Sequence, residues 1–276
     1  MPSSGGNGDK AGPVTASFNV TVEIASGNAG ETGPVTIGWL MAPDESRLVF
    51  TPPRRLKHVS GAGPRTHAKS VSSCPAVLGL ESRLFEVLCP VDLTLEMGET
   101  DFGEPAVRNL DGPMATVRDE ALAHLIHVHP REEWRSPDLP MIQLRLPYIF
   151  LADEPVYMSQ VPPFQHFTRT PPPGLMIPGR FPINIWPRTL TWAFEWHDTG
   201  EPLVLRRGEP LFYLMFEVFP QSRAIQLIEA ERTPELEAYL QEIQGVVNYV
   251  SQTFSLFKAA EKIRPGRLVK PKEPPR

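Results

Sequence analysis

The sequence contains only two cysteines, Cys74 and Cys89, and each precedes a proline. A disulfide framework or a structural zinc site needs more thiols at closer spacing. Both residues are therefore expected to be buried thiols, with a disulfide or a catalytic cysteine as alternatives. A chain of 276 residues can bury a large enough core to fold without either kind of cross-link.

The sequence also lacks a basic excess and a long apolar run. Its formal net charge of −5 argues against nucleic acid as the main partner, because phosphate binding needs a basic face. No segment approaches the roughly 20 apolar residues of a membrane span. The first twelve residues, MPSSGGNGDKAG, lack the apolar segment of a secretory signal. These features predict a cytoplasmic protein without a membrane or nucleic-acid partner.

Proline is abundant: 32 residues are about twice the usual share of roughly 5%. Proline lacks a backbone donor and restricts φ, so short strands are favoured over helices. Apolar and polar residues alternate over 14–24 (VTASFNVTVEI), 34–40 and 91–97, as they do in half-buried strands. The first two segments predict a hairpin.

A second set of strands is predicted between residues 189 and 231. TLTWAFEW, LVLRR, LFYLMFEVF and RAIQLIEA are separated by turn-like sequences and predict a four-stranded meander. The segment LFYLMFEVF is almost continuously apolar, which is typical of a central strand covered on both faces. The helix that follows it in sequence is the expected cover.

Two helices are predicted, one near 118–128 and one over 234–262. Thr233 can cap the second helix, and Pro234 and Glu235 suit its first turn. An apolar stripe runs along it and consists of Leu236, Leu240, Ile243, Val247, Val250, Phe254 and Phe257. The stripe predicts docking on the sheet, or alternatively a homodimer formed through residues 236–257.

These elements predict a mainly β fold: an antiparallel β-sandwich or open barrel, jelly-roll-like, with a short internal helix and a C-terminal helix packed on the sheet. Residues 14–263 are expected to form a single domain. Residues 1–13 are expected to form a flexible tail, and residues 264–276 an extended, mobile tail rich in proline and basic residues.

A histidine-rich segment, HLIHVHPREEW, is a candidate metal site. His127, His129 and Glu133 have the spacing H-x-H-x-x-x-E, which resembles the first metal-binding motif of the cupins, small β-barrels that hold iron, manganese or zinc. His166 or His197 would be the remote ligand. The alternative is that these histidines lie at the negative end of the first helix, since the preceding residues have a helical pattern.

Aromatic residues are concentrated between Tyr148 and Trp196, where ten of the 24 lie among prolines and arginines. Rigid proline loops can hold aromatic rings and guanidinium groups in fixed positions, which suits a pocket or docking surface. The alternative is that the aromatic side chains fill the core. The candidate ligand-binding residues are Trp186, Trp192, Trp196, Phe164, Arg180 and Arg188.

Two segments, PMIQLRLPYIFLADEPVY and GRFPINIWPRTLTWAFEWHDTGEPLVLRRGEPLFYLMFEV, carry a resemblance. Through the Trp/Phe strand and the R-G-x-P turn, the chain resembles a group of uncharacterised bacterial and phage-encoded proteins over residues 74–260. The resemblance implies one β-rich domain and no catalytic residue.

Two functional hypotheses follow. The first is a non-enzymatic binding or assembly protein that uses the aromatic, proline-rich surface to bind a protein or a small-molecule ligand. The second is a metal-dependent enzyme, cupin-like or related to the non-haem iron oxygenases, with His127, His129 and Glu133 as ligands. The sequence leaves enzymatic activity undecided.

Overall fold

Strands account for most of the regular structure in the computed structural model, which describes residues 33–41, 49–56, 71–112, 115–247 and 253–273. The strands are β1 (Val35–Met41), β2 (Arg54–Arg55), β3 (Leu84–Leu88), β4 (Leu93–Glu99), β5 (Pro105–Asn109), β6 (Ile126–Val128), β7 (Met141–Ala152), β8 (Tyr157–Val161), β9 (Gly174–Met176), β10 (Gly179–Pro182), β11 (Thr189–Trp196), β12 (Leu203–Leu205), β13 (Pro210–Glu217) and β14 (Ile225–Glu229). The helices are α1 (Pro75–Glu81), α2 (Asp119–Leu125), α3 (Pro234–Val247) and α4 (Thr253–Ile263). The mainly β prediction is confirmed. The predicted strand at 14–24 lies outside the described residues.

The described strands form three sheets. Sheet A has the order β14-β1-β7-β11-β9, and β6 pairs with the first part of β7. Sheet B has the order β10-β8-β13-β3-β2, and sheet C the order β12-β4-β5. Adjacent described strands are antiparallel except β1 and β14, which are parallel. The predicted strand at 34–40 is β1, whose two neighbours in sheet A are β7 and β14.

The predicted four-stranded meander is wrong, although all four strands exist. β11 and β14 lie in sheet A, β12 lies in sheet C and β13 lies in sheet B. Alternation of apolar residues places a side chain on one face of a strand but does not select the neighbouring strand. Consecutive strands therefore cross between sheets instead of pairing with one another.

The main core lies between the inner faces of the sheets. Trp192, Phe194 and Trp196 project from β11, and alternate residues of β13, including Phe212 and Leu214, belong to the same buried cluster. β13 is central in sheet B, with β3 and β8 on its two edges. Its opposite face is also covered, since Tyr213 is buried. The prediction of a doubly covered central strand is confirmed for this part of β13.

The C-terminal segment forms two helices instead of the single helix predicted over 234–262. The Tyr239 hydroxyl on α3 donates a hydrogen bond to the Ala260 carbonyl on α4 at 3.2 Å. One straight helix would separate these residues by about 31 Å at 1.5 Å per residue. The start of α3 is as predicted: the Leu236 backbone N–H donates to the Thr233 hydroxyl at 3.2 Å.

The two helices pack on the outer face of sheet A and not on β13 as predicted. Leu236, Leu240 and Ile243 of α3 pack in a second buried cluster with Ile149 and Leu151 of β7. α3 follows β14, and β14 lies at an edge of sheet A, so the nearest apolar surface belongs to that sheet. The described part of the predicted stripe therefore packs on its own chain, and dimerisation through 236–257 stays a prediction.

The segment after α4 packs against the fold, so the predicted mobile tail is wrong for residues 264–273. Leu268 and Val269 are buried in the second cluster. Their backbone N–H groups donate to one carboxylate oxygen of Asp153, at 2.5 and 3.1 Å. Pro271 also forms a bridge with Ala230, at the end of β14. Apolar side chains, the Asp153 carboxylate and backbone hydrogen bonds to Glu229 and Glu231 together dock a segment that composition alone classes as a tail.

Both cysteines are free thiols, as predicted. Cys89 is buried and its thiol donates to the Val91 carbonyl at 3.1 Å. Burial raises the pKa of Cys89 to about 11, which disfavours the reactive thiolate. Cys74 is partly buried.

Candidate functional site

The three candidate tryptophans lie in the core. Trp196 is fully buried, Trp192 is 4% exposed and Trp186 is 9% exposed. Trp192 and Trp196 pack between the sheets, whereas Trp186 packs edge to face on Phe257 of α4, with ring centroids 4.8 Å apart. Their burial agrees with the alternative that the aromatic side chains fill the core, and ligand binding by these tryptophans stays a prediction. Large aromatic side chains bury the most apolar area, and here they fill two separate cores.

The other three candidates from that region are on the surface. Phe164 is 56% exposed, although its ring packs edge to face on Tyr213 at 5.5 Å. Arg188 is also exposed. Arg180 makes two hydrogen bonds to Glu217, at 2.7 and 2.8 Å, and lies 3.8 Å from the centre of the Tyr157 ring. The hydrogen bonds to Glu217 raise the pKa of Arg180, so this guanidinium already has a strong partner within the chain.

The candidate metal ligands are brought only partly together. β6 begins directly after α2, so His127 lies just beyond the helix end, on a strand that pairs with β7. The rings of His127 and His129 are 4.7 Å apart, and His129 Nδ1 is 2.6 Å from Glu133 Oε2. In the parts of the chain that the structure describes, no three His, Cys, Asp or Glu side chains are arranged to hold a metal ion.

The remote histidines lie at other places. His197 Nε2 is 2.8 Å from Glu195 Oε1, beyond the end of β11. His166 Nε2 is 3.9 Å from Glu209 Oε2, in the loop after β8. Each of these histidines therefore has its own carboxylate neighbour.

A cleft of about 530 Å³ opens between β5 and β6, next to the candidate histidines. This volume is within the usual range of about 300–1,000 Å³ for ligand sites. Its walls are Pro105–Arg108 of β5 on one side and Ile126–Val128 of β6 on the other, with Leu122 and Ala123 of α2. β5 is the last strand of sheet C, and β6 pairs with β7 alone among the described strands. Both walls are consequently open strand edges.

The hydrogen bonds of β5 show which of its backbone N–H and C=O groups point away from β4. Leu110 N–H donates to Thr94 C=O at 2.7 Å, and Thr100 N–H donates to Glu104 C=O at 2.8 Å. In an antiparallel ladder only every second residue points its backbone groups at the partner strand. The backbone N–H and C=O groups of the even-numbered residues of β5 therefore point to β4. Those of Val107 point away from β4. The backbone of Pro105 also points away from β4. Its missing N–H therefore removes no hydrogen bond between the two strands.

β6 has the same arrangement on the opposite wall. His129 N–H donates to Met141 C=O at 3.0 Å, so His129 and His127 point their backbone groups to β7. The backbone N–H and C=O of Val128 therefore point away from β7. Among the described residues, no backbone or side-chain partner is found for the outward groups of Val107 or Val128.

The cleft has an apolar floor and a polar rim. Val107 and Val128 pack against the main core with their side chains, as do the buried residues Leu122 and Ile126. Because side chains alternate along a strand, Arg108 of β5 and His127 of β6 lie on the other face of their strands. An extended chain laid here would meet apolar side chains on one of its faces and charged groups on the other.

A buried carboxylate lies on β11, on the face opposite the one that carries Trp196. Glu195 of β11 is 1% exposed, and its Oε1 accepts hydrogen bonds from Arg135 at 2.5 Å and His197 at 2.8 Å. Burial raises the pKa of Glu195, but the hydrogen bonds from Arg135 and His197 outweigh burial and hold it below 4.5. The arrangement stabilises an ionised carboxylate and orients one imidazole.

No protein-family model matches the chain, and no curated protein and no solved structure is similar to it. The resemblance to bacterial and phage-encoded proteins therefore stays a prediction. Among the helices that the structure describes, none combines the length and the apolar character needed to cross a membrane.

Sequence reasoning missed the cleft. β5 (PAVRN) has only two apolar side chains on its inner face, and β6 has three residues, so neither segment carries a clear period-two pattern. One usable signal was the acidic turn before Pro105: Gly103 adopts a φ of 78°, which favours glycine and closes the β4–β5 hairpin. A hairpin at this turn would have predicted β5, but not the strand edge facing it.

Proposed function

We propose that the chain is a binding protein that takes up an extended segment of a partner protein in the cleft between β5 and β6. One observation carries this proposal: in the part of the chain that the structure describes, two strand edges whose outward backbone groups have no partner face a single cleft. Open edges recruit extended chains, and natural proteins usually cover or block them unless they are used.

The segment is proposed to add to the edge of β5, where Val107 offers both backbone groups. Sheet C would then have four strands. β6 and α2 would form the opposite wall, and alternate apolar side chains of the segment would contact Val107, Leu122 and Val128. In this binding mode the backbone hydrogen bonds supply affinity and the side-chain contacts supply specificity.

This proposal keeps the class predicted from the sequence, a non-enzymatic binding or assembly protein, and changes the surface. The tryptophans that were predicted to bind the ligand are in the core, which leaves the aromatic region with Phe164 as its exposed candidate ring. The metal-dependent alternative gains no support from the described geometry of His127, His129 and Glu133. A cytoplasmic location stays a prediction.

Binding of a generic strand peptide tests the proposal. The probe is fluorescein-labelled Thr-Val-Thr-Val-Gln-Val-Thr-Val-Thr on a soluble polyethylene glycol tail, followed by anisotropy. Val107→Pro removes the outward N–H while leaving the β4 ladder intact, and it should weaken binding at least tenfold. Val107→Thr keeps both the N–H and the β-branched side chain and is the matched control. Equal binding by the proline and threonine variants, both folded by circular dichroism, would reject the site.

A further inference from the structure

The C-terminal segment (residues 264–273) is held in the way that a protein holds a bound peptide. Leu268 and Val269 are 2% and 3% exposed, and both belong to the buried cluster that α3 forms on sheet A. Their two consecutive backbone N–H groups converge on one carboxylate oxygen of Asp153, at 2.5 and 3.1 Å. A single charged acceptor therefore fixes the backbone where both side chains enter the cluster.

The same segment then adds as a short strand to the edge of β14. Glu231 N–H donates to Lys270 C=O at 2.7 Å, and Lys272 N–H donates to Glu229 C=O at 3.0 Å. The lysine side chains pair with the same two residues: Lys270 with Glu231 at 2.8 Å, and Lys272 with Glu229 at 2.7 Å. Asp153, Glu229 and Glu231, together with the buried cluster, thus form a docking groove for an extended, basic segment.

The open edge of β14 extends beyond Glu229. Ala230 N–H donates to Trp39 C=O on β1 at 2.8 Å, so even-numbered residues of β14 bond to β1 and odd-numbered residues point away from it. Leu227 is odd-numbered like Glu229, and its backbone groups have no partner among the described residues. In the sequence, Glu273 is followed by two prolines, which have no N–H to donate. A segment with ordinary residues in their place has an additional N–H for the Leu227 carbonyl.

Few contacts hold the segment in the docking groove. Two apolar side chains are buried, and both lysine side chains are at least 40% exposed, so water screens their ion pairs. Gly266 precedes the docked residues, and a Cβ added there would meet nothing within 4 Å. Before it, Arg264 donates to the Asn184 and Asp153 carbonyls at 2.5 and 2.7 Å. An anchor at Arg264 and loose packing at Gly266 suit a segment that detaches as a unit.

We infer that the docking groove is a peptide-binding site, that the C-terminal segment is its resting occupant, and that a segment of another protein displaces it. The contacts define the recognised pattern: two adjacent apolar residues, then basic residues at the positions of Lys270 and Lys272, then residues other than proline. The internal occupant has a high effective concentration, whereas the competing segment gains a hydrogen bond at Leu227. The docking groove shares no residue with the cleft between β5 and β6, so this inference is independent of the proposed function.

The binding test uses the full chain with Leu268→Ser and Val269→Ser, which weaken its own segment and leave Asp153 and β14 unchanged. The labelled probe is Gly-Arg-Leu-Val-Lys-Pro-Lys-Glu-Thr-Val-Thr, followed by anisotropy. It should bind this variant about tenfold more tightly than the unsubstituted protein, because the internal competitor is lost. Adding Asp153→Ala should weaken binding about tenfold. Adding Asp138→Ala, which removes an exposed carboxylate outside the groove, should not. A folded variant that does not bind the probe would overturn the inference.

Hydrogen exchange tests the unsubstituted protein directly. The backbone N–H groups of Leu268 and Val269 are bonded to Asp153 only while the segment is docked. Excess unlabelled probe should therefore speed their exchange severalfold and leave the core amides of β7 unchanged. A matched peptide with Ser-Ser in place of Leu-Val should have no effect. Equal exchange with and without the probe would overturn displacement, even where the substituted variants do not fold.

Two further measurements identify the occupant. A probe that ends in Pro-Pro-Arg in place of Thr-Val-Thr should bind severalfold more weakly, because it lacks the N–H for Leu227. Equal binding of the two probes would overturn the advantage assigned to an external segment. Light scattering should give a monomeric mass. A dimer that becomes a monomer in the Leu268→Ser and Val269→Ser variant would make a second copy the occupant and overturn displacement by another protein.

Discussion

Trp192 and Trp196 lie on the same buried face of β11, four residues apart, but they differ in hydrogen bonding. The indole N–H of Trp196 donates to the carbonyls of Asp198 at 2.9 Å and Glu201 at 3.2 Å. The buried indole N–H of Trp192 has no hydrogen-bond partner in the described structure. Trp192 instead stacks on Phe194, with ring centroids 5.2 Å apart.

This pair predicts unequal effects of the same substitution. Trp196→Phe removes a donor that is hydrogen-bonded to two backbone carbonyls, whereas Trp192→Phe removes an unpaired donor from an apolar site. We expect Trp196→Phe to reduce the free energy of unfolding by about 1–2 kcal/mol more than Trp192→Phe, measured by urea denaturation. Equal losses would mean that the indole N–H of Trp196 contributes nothing, and that both tryptophans act through packing alone.

Glu195 predicts an acid-sensitive contribution to stability. Its pKa is lower in the folded chain than in the unfolded chain, so its ionised form stabilises the fold above pH 4.5, and this contribution is lost as pH falls through the folded pKa. We expect Glu195→Gln to cost about 1.5–3 kcal/mol at pH 7. The difference from the unsubstituted protein should shrink as the pH is lowered below 4.5 in urea titrations. A difference independent of pH would contradict this assignment.

The close packing around Gly174 on β9 predicts that a side chain is not tolerated at this position. A Cβ at this position would lie 2.1 Å from the backbone oxygen of Glu195 and 2.9 Å from the Phe194 ring. Gly174→Ala should therefore destabilise the fold by about 1–3 kcal/mol through overpacking. Gly179→Ala, on the edge strand β10, is the matched control because nothing lies within 4 Å of its added Cβ. Similar melting temperatures for the two variants would show that β9 does not pack on β11 as described.

Local sequence signals predicted the start of α3 and six of the described strands, namely β1, β4, β11, β12, β13 and β14. The alternation in TLTWAFEW gave β11 with Trp192 and Trp196 on one face, and Thr233 with Pro234 gave the start of α3. These predictions succeed because a strand period and a helix cap depend on a few neighbouring residues. The same alternation could not show whether that face was core or surface.

Long-range organisation could not be read from the same signals. Apolar and polar residues alternate in the same way in every half-buried strand. The sequence of β11 to β14 therefore does not indicate that these strands belong to three different sheets. The docking of Leu268 and Val269 depends on Asp153, more than a hundred residues away. The cleft likewise exists because two short strands from different sheets come to face each other.

The most direct test of the account is an N-methyl scan of the strand peptide that we propose binds in the cleft. Each backbone N–H of Thr-Val-Thr-Val-Gln-Val-Thr-Val-Thr is methylated in turn, and affinity is measured by anisotropy. Strand addition uses every second N–H of the bound chain, so methylation should weaken binding severalfold at alternate positions and have little effect between them. Uniform sensitivity along the peptide, or none at any position, would contradict recognition by an open strand edge.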